Sequence, residues 1–436
     1  MKYTFRGGFH VEEHKNTTAC ALMPLRAPQK VFLPMQMHIG APCTPCVKVG
    51  DRVLRGEKLG DCEGLGVPVH SSVSGTVSAI DTYRDARGAQ ISRVIIENDG
   101  LDETVTMPPL VPEDTSVDEM IGRIREAGIA GLGGATFPTH VKLRGAIGKV
   151  DTMIVNAAEC EPYITANHRL LLEHTEEVVA GVRILARILG LQTAHIAIED
   201  NKEDAAARLR ECLAGTQDVS VDTVKTKYPQ GDERQLIYAL TRREIPAGGL
   251  PSDVACVIFN AETVYAVYRA IVLGLPLYER IVTVDGDCVA VPGNFLVPLG
   301  TPMRTLIEAA GGLSDAPARL ISGGPMMGAA QWDPNAPVIK GTSALLVLSA
   351  EVGAVTGMAQ CIRCGRCVAR CPMRLMPSYL AAYARQGLYD KAEELGVRSC
   401  VECGTCSYVC PARVPIVQYI RAAKFKLNAR AKRAGK

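Results

Sequence analysis

Two cysteine runs constrain this chain more than any other feature. "CIRCGRCVARCP" begins at Cys361 and "CVECGTCSYVCP" at Cys400; each reads C-x2-C-x2-C-x3-C-P. Three thiolates at i, i+3 and i+6 wrap a short loop around one compact inorganic object. Structural zinc sites instead use two cysteine pairs separated by roughly a dozen or more residues. The spacing therefore points to two [4Fe–4S] clusters. In two-cluster chains of this pattern the fourth cysteine of each run ligates the other cluster. That rule assigns Cys361, Cys364, Cys367 and Cys410 to one centre, and Cys400, Cys403, Cys406 and Cys371 to the second. Pro372 and Pro411 then break the local helix and turn the chain away.

The remaining cysteines read differently. The chain has 16 in all. The N-terminal "MKYTFRGGFHVEEHK" has no apolar h-region, so no signal peptide and no disulfide framework are expected. Cys43 and Cys46 form a lone "CTPC", read as two small side chains in a tight turn. Cys20, Cys62, Cys212, Cys256 and Cys288 are expected to be buried small hydrophobes. Cys160 lies between two glutamates, which disfavour its thiolate, and is read as structural. The longest apolar run, 178–191, is broken by Arg183 and Arg187, so the chain is not expected to span a bilayer. A formal charge of +2 and 5% aromatic residues give no footprint for nucleic acid. Residues 411–436 hold eight Lys or Arg and no acid. That basic tail is either a solvated helix end or a docking surface for anionic lipid or an acidic partner.

Periodicity divides the chain into units. "VKVGDRVLRGEKLG" and "VPVHSSVSGTVSAI" are valine-glycine half-motifs with turn punctuation. They resemble a barrel-sandwich hybrid, the fold of biotinyl and lipoyl carriers. No lysine lies between Lys58 and Tyr83, so the likeness is of shape and not of covalent carriage. After the proline-rich "TMPPLVPED", strand-like and helix-like stretches alternate, with helices expected over 116–127, 169–189, 202–213 and 233–243. That alternation argues a layered α/β domain. Short strands around one helix at 303–310 suggest a small α+β module, and one helix over 378–395 separates the cysteine runs.

Clusters of this kind pass single electrons, so a hydride source requires a two-to-one electron converter, usually a flavin. "GIAGLGGATFPTHVKL" at 128–143 is a candidate phosphate nest, with glycines for close backbone approach and Lys142 for charge. It follows a helix rather than a strand and is not an ordinary Rossmann fingerprint. "NAAECEP", "YPQGDERQL" and "FNAET" follow in order. The set resembles the flavin-bearing, NADH-oxidising subunit of respiratory complex I. That resemblance implies that Gly131, Gly133, Gly134 and Lys142 cradle the phosphate and ribityl chain of FMN. Asn156 and Glu159 would line the flavin. Tyr228, Gly231, Asp232 and Glu233 would approach the isoalloxazine edge, with Asn260 near the phosphate. Phe137 and Glu161 would face the nicotinamide nucleotide, Glu233 standing close by. Carboxylates there accept hydrogen bonds from ribose hydroxyls and repel a 2′-phosphate, favouring NADH over NADPH. Ala158 and Phe259 stand where that family has Asp and Asn.

Over nearly its whole length the chain resembles the RnfC family, through "FRGGFH", "NAAECEPYITANHRLLL", "SGGPMMG", "CIRCGRCVARCPMRLMP" and "VPIVQYIRAAK". The resemblance implies a multidomain α/β chain in four units. These are a barrel-sandwich-hybrid β domain at 1–110, a Rossmann-like FMN/NADH domain at 111–278, a β-grasp (SLBB) module at 279–352, and an α-helical two-cluster ferredoxin-like domain with a basic tail at 353–436. It implies two [4Fe–4S] clusters, FMN and NADH/NAD+ as cofactors. The partners would be the other Rnf subunits and, indirectly, ferredoxin, with peripheral contact at the cytoplasmic face of the membrane. Two alternatives share parts of this pattern: a cobalamin reductase of the metabolosome (PduS-like) type, and an iron–sulfur relay with a vestigial flavin site.

Overall fold

The computed structural model describes residues 3–86, 88–353 and 357–433. Two antiparallel sheets form the N-terminal unit. One orders Lys30–Pro34, Gln90–Asn98, Gly75–Arg84 and Arg52–Val53; the other orders Thr44–Pro45, Lys58–Asp61 and Val69–His70. Alternation does the folding here. Val31, Leu33, Val77, Val94 and Ile96 point inward and are fully buried, as the two-residue period of a strand requires.

The α/β unit has a four-stranded parallel sheet ordered Val219–Val224, Ala194–Glu199, Thr152–Ala157, Cys256–Asn260. Helices cover both faces, so the strands read as continuous apolar runs such as Met153, Ile154 and Val155, all buried. The order reverses between Thr152–Ala157 and Cys256–Asn260. Ligands of open α/β sheets settle in the crevice beyond the carboxyl ends of the strands at such a switch point. Asn156 and Asn260 sit side by side in register at that end.

The stretch 169–189, expected as one helix, is two: Ala166–Glu173 and Thr175–Leu189. His174 leaves the helical region at φ −130°, and the Thr175 hydroxyl donates back to Leu171 O at 2.6 Å. A hydroxyl bonded four residues back is a known cause of helix bending. The stretch 378–395 likewise divides into Pro377–Arg385 and Tyr389–Glu394, interrupted by Gly387 at φ +74°.

The third unit is a mixed six-stranded sheet, and the N-terminal region helps build it. Leu22–Pro24 pairs in parallel with Gly293–Pro298. Val31, Val94 and Ile96 share one apolar core with Val282, Val297 and Val347, so the first and third units are not separate globules. A buried ion pair joins the second unit to the third. Glu262, in the first turn of helix Ala261–Val272, accepts from Arg280 Nη2 at 2.6 Å and from Ile281 N at 2.7 Å. Burial disfavours both charges, raising Glu262 and lowering Arg280, and their mutual attraction offsets this. Removing one partner of a buried pair typically costs about 3–5 kcal/mol. Glu262→Ala is therefore expected to speed amide exchange at Val282 and Val284 markedly, and unchanged exchange would contradict the pair's role.

Candidate redox site

The glycine-rich loop closes on itself beside the switch-point crevice. Gly131 N donates to Phe137 O at 2.9 Å, and Thr136 N returns to Gly131 O at 3.2 Å. Leu132 N donates to Thr263 Oγ1 at 2.9 Å, tying the loop to the helix that follows Asn260. Gly133 lies against Asn260, so that a Cβ there would be 3.4 Å from the Asn260 Cβ. Gly133 and Gly134 are exposed, and Gly134 is left-handed at φ +104°. An open backbone loop running straight into helix Thr139–Ala146 fits a phosphate group.

Three side chains have protein partners that sequence spacing did not signal. Lys142 Nζ donates to Ile258 O at 2.6 Å and lies 5.5 Å from the Phe259 ring centroid. Burial lowers its pKa. Phe259, where the related family has Asn, thus supplies the aromatic face for that ammonium. Glu159 caps helix Ala166–Glu173, accepting from Asn167 N at 2.7 Å and His168 N at 3.0 Å. Glu161 accepts from Met326 N at 3.0 Å and Met327 N at 2.9 Å, in the "SGGPMMG" loop of the third unit. Burial pushes its carboxyl up to about 7. In this arrangement both carboxylates already serve backbone N–H groups, because each lies where a helix start or a tight loop leaves its donors unpaired. Glu233 alone of the three glutamates stands exposed, at the start of helix Glu233–Thr241.

The remaining motifs converge. Asn156 Nδ2 donates to Gly231 O at 2.8 Å, and Asn156 Oδ1 accepts from Ala158 N at 3.1 Å. Gly231 N donates to Cys160 Sγ at 3.3 Å, and burial raises that thiol's pKa. Asp232 caps its helix through Arg234 N and Gln235 N, both at 3.2 Å, while burial raises it to about 6. Asn260 caps helix Ala261–Val272 through Glu262 N at 3.0 Å. Lys15 was missed by sequence reasoning. Its buried ammonium donates to Glu159 O, Glu161 O and Ile164 O at 2.8, 2.8 and 2.6 Å, fastening "NAAECEP" from 144 residues away in sequence. No local spacing signals such a partner.

Cys371, Cys400, Cys403 and Cys406 line one cavity, with Pro372, Leu375 and Ile420 among its walls. The crossing ligand thus meets the three thiols of the other run. A set of four thiols around one space suits a [4Fe–4S] cluster. Burial raises all four thiol pKa values, so their deprotonation is coupled to a cation that balances the charge. Leu375 N and Glu402 N each point at a sulfur, Cys371 and Cys400, at 3.4 Å. The two runs repeat one backbone: Arg363 and Glu402, Gly365 and Gly404, and Arg374 and Arg413 are left-handed pairs, each 39 residues apart. In the first run Cys361 and Cys364 are exposed and Cys367 is buried; Cys410 is half-buried, against the same core as Cys367.

Tyr228 joins the two regions. It is fully buried, and its hydroxyl donates to Cys403 O at 2.7 Å. Phe9 exchanges backbone hydrogen bonds with Tyr228 and stacks on Tyr408 at 4.8 Å between centroids. Gly8 N donates to Arg370 O at 2.9 Å. "FRGGFH" is thus a strap between the flavin-side segment and both cysteine runs.

Elsewhere, Cys43 and Cys46 diverge, Cys43 being buried and Cys46 exposed. Cys20 and Cys212 are only half-buried, unlike Cys62, Cys256 and Cys288. Much of the basic tail forms helix Ile416–Arg433, where Arg421 and Lys424 pair with Glu402, and Arg430 with Asp390. Residues 434–436 lie outside the described residues.

Four family models match the chain in order. They are the RnfC barrel sandwich hybrid domain at 3–101, the Nuo51 FMN-binding domain at 124–269, the SLBB domain at 281–330, and the 4Fe-4S dicluster domain at 355–411. The chain is 43% identical to the C subunit of the Na(+)-translocating ferredoxin:NAD(+) oxidoreductase complex of Acetobacterium woodii, covering 99% of this chain and 98% of the relative. It is 44% identical to the C subunit of the proton-translocating ferredoxin:NAD(+) oxidoreductase complex of Clostridium ljungdahlii, covering 99% and 96%. A solved NAD+-reducing [NiFe]-hydrogenase is similar at 19% identity and TM-score 0.48, over 76% of this chain and 69% of that one. With near-complete coverage by such relatives and all four domains in sequence, the chain belongs to the RnfC family, the C subunits of ferredoxin:NAD(+) oxidoreductase complexes.

Proposed function

We propose that this chain is the electron-input subunit of a membrane-bound, ion-translocating NAD:ferredoxin oxidoreductase. The observation that carries the reading is the Tyr228 hydroxyl on Cys403 O. It sets the segment that would border the flavin directly against the peptide of a cluster ligand. When bound, FMN exchanges a hydride with the nicotinamide and single electrons with the clusters.

The chain's own residues position and exclude. Gly131, Gly133 and Gly134 offer backbone to the phosphate, and Asn156, Gly231 and Cys160 fix the floor of the crevice. Phe9, Tyr228 and Val11 form an apolar seal around Cys403, which keeps water from the passage between centres. Phe137 and the exposed Glu233 remain at the mouth for a nicotinamide nucleotide, the carboxylate favouring NADH. The exposed Cys361 and Cys364 place the first cluster at the surface, beside Met358 and Ile362, where a partner subunit takes the electrons.

No helix among the described residues is long and apolar enough to cross a membrane. We place the chain peripherally on the cytoplasmic face, bound to the other Rnf subunits, with ferredoxin reached through them. Anaerobically purified protein should contain about eight irons and one FMN, and NADH should bleach its cluster absorbance. Full clusters that NADH does not bleach would leave an iron–sulfur relay instead.

A further inference from the structure

The N-terminal barrel holds a second constellation of metal-binding type. His38, Cys43 and Cys62 are all buried, and one ligand atom from each lies within 4.8 Å of the others. Strands Thr44–Pro45 and Lys58–Asp61 pair with Thr44 opposite Asp61, so Cys43 and Cys62 flank the pair at matching ends. Cys62 Sγ is 3.8 Å from His38 Nε2. Two ligands of a tetrahedral zinc ion, with bonds of about 2.0–2.3 Å, stand about 3.5–3.8 Å apart.

The neighbours of the three donors define the site further. His38 Nε2 donates to Ala41 O at 3.0 Å, while Nδ1 is buried with no hydrogen-bond partner among the described residues. Nε2 is also the nitrogen that faces Cys62, so binding a metal through it moves the ring proton to Nδ1 and gives up the Ala41 contact. Gly66 has an ordinary backbone conformation, yet a Cβ there would lie 2.2 Å from Cys62 Sγ and 2.6 Å from His38 Nε2. Glycine is needed to keep the space between these donors open. Burial raises the Cys43 thiol, and the buried ammonium of Lys340, held by Pro68 O at 2.9 Å and Gly128 O at 2.6 Å, offsets only part of that.

We infer that His38, Cys43 and Cys62 bind one soft divalent cation, zinc by ligand set, separate from both iron–sulfur clusters. Two thiolates and an imidazole select zinc over hard cations. Binding releases the two thiol protons and leaves the ion's charge balanced by the thiolates. No fourth His, Cys, Asp or Glu joins the group among the described residues, so the last coordination position falls to water. The site lies directly behind the flavin loop: Ile39 N, next to His38, donates to Thr136 O at 3.0 Å. The metal pins the barrel edge from which that loop hangs.

Full-length protein purified anaerobically without added metal should carry about one zinc in addition to its cluster iron. Zinc-edge X-ray absorption should show two sulfurs near about 2.3 Å and nitrogen or oxygen near about 2.0 Å. The Cys43→Ser/Cys62→Ser double variant should lose the zinc and keep its iron, whereas Cys46→Ser should keep both. Absence of zinc, an all-sulfur shell marking zinc in a cluster position, or a Cys43–Cys62 disulfide in the purified chain would each overturn the proposal. The absorption measurement uses the unaltered chain, so it stands even if the double variant does not fold.

Discussion

Cys371→Ser should abolish the cluster of the other cysteine run. Cys371 lies next to Pro372 in the first run, yet it faces the cavity lined by Cys400, Cys403 and Cys406. Iron should fall from about eight per chain to about four. The surviving electron paramagnetic resonance signal should match that of Cys403→Ser and differ from that of Cys364→Ser. If Cys371→Ser instead resembles Cys364→Ser, the crossing assignment fails. Cys403→Ser should also break NADH-driven reduction of the remaining cluster, because the lost centre is the one that Tyr228 touches.

Gly231→Ala is the second large effect. A Cβ at 231 would lie 2.7 Å from Ala158 O and 3.4 Å from Cys160 Sγ, both in the "NAAECEP" turn. The obstacle is backbone, so no side chain can swing aside. Overpacking of this kind typically costs about 1–3 kcal/mol, which corresponds to about 5- to 150-fold in affinity. The variant should be purified with most of its FMN gone and its iron intact, and added FMN should restore it only at high concentration. Full flavin content would show that this turn does not shape the flavin pocket.

What the sequence revealed and concealed follows from the range of each interaction. The cysteine runs were legible because ligand spacing is local, and their crossing was legible because it repeats across known two-cluster chains. The flavin crevice was legible as a set of motifs, since Asn156 and Asn260 stand side by side near the carboxyl ends of their strands. The partners of Glu159, Glu161 and Lys142 were not. A carboxylate's chemistry at a nucleotide and at a backbone N–H looks the same in sequence; Glu159 takes Asn167 N eight residues on, and Glu161 takes Met326 N from another unit. The split at His174 was hidden for a related reason, because Thr175 is compatible with a helix until its hydroxyl turns back on Leu171. Lys15 and the His38, Cys43 and Cys62 group depend on tertiary approach alone.

The strap around Phe9 also has a bearing on biogenesis. Its partners, Tyr228, Arg370 and Tyr408, are translated long after it. A chain folding as it leaves the ribosome can complete the parallel sheet of the α/β unit while the strap still lacks its carboxyl-terminal anchors. The seal around Cys403 therefore closes only once the second cysteine run has emerged, so the strap is among the last contacts of the chain to form.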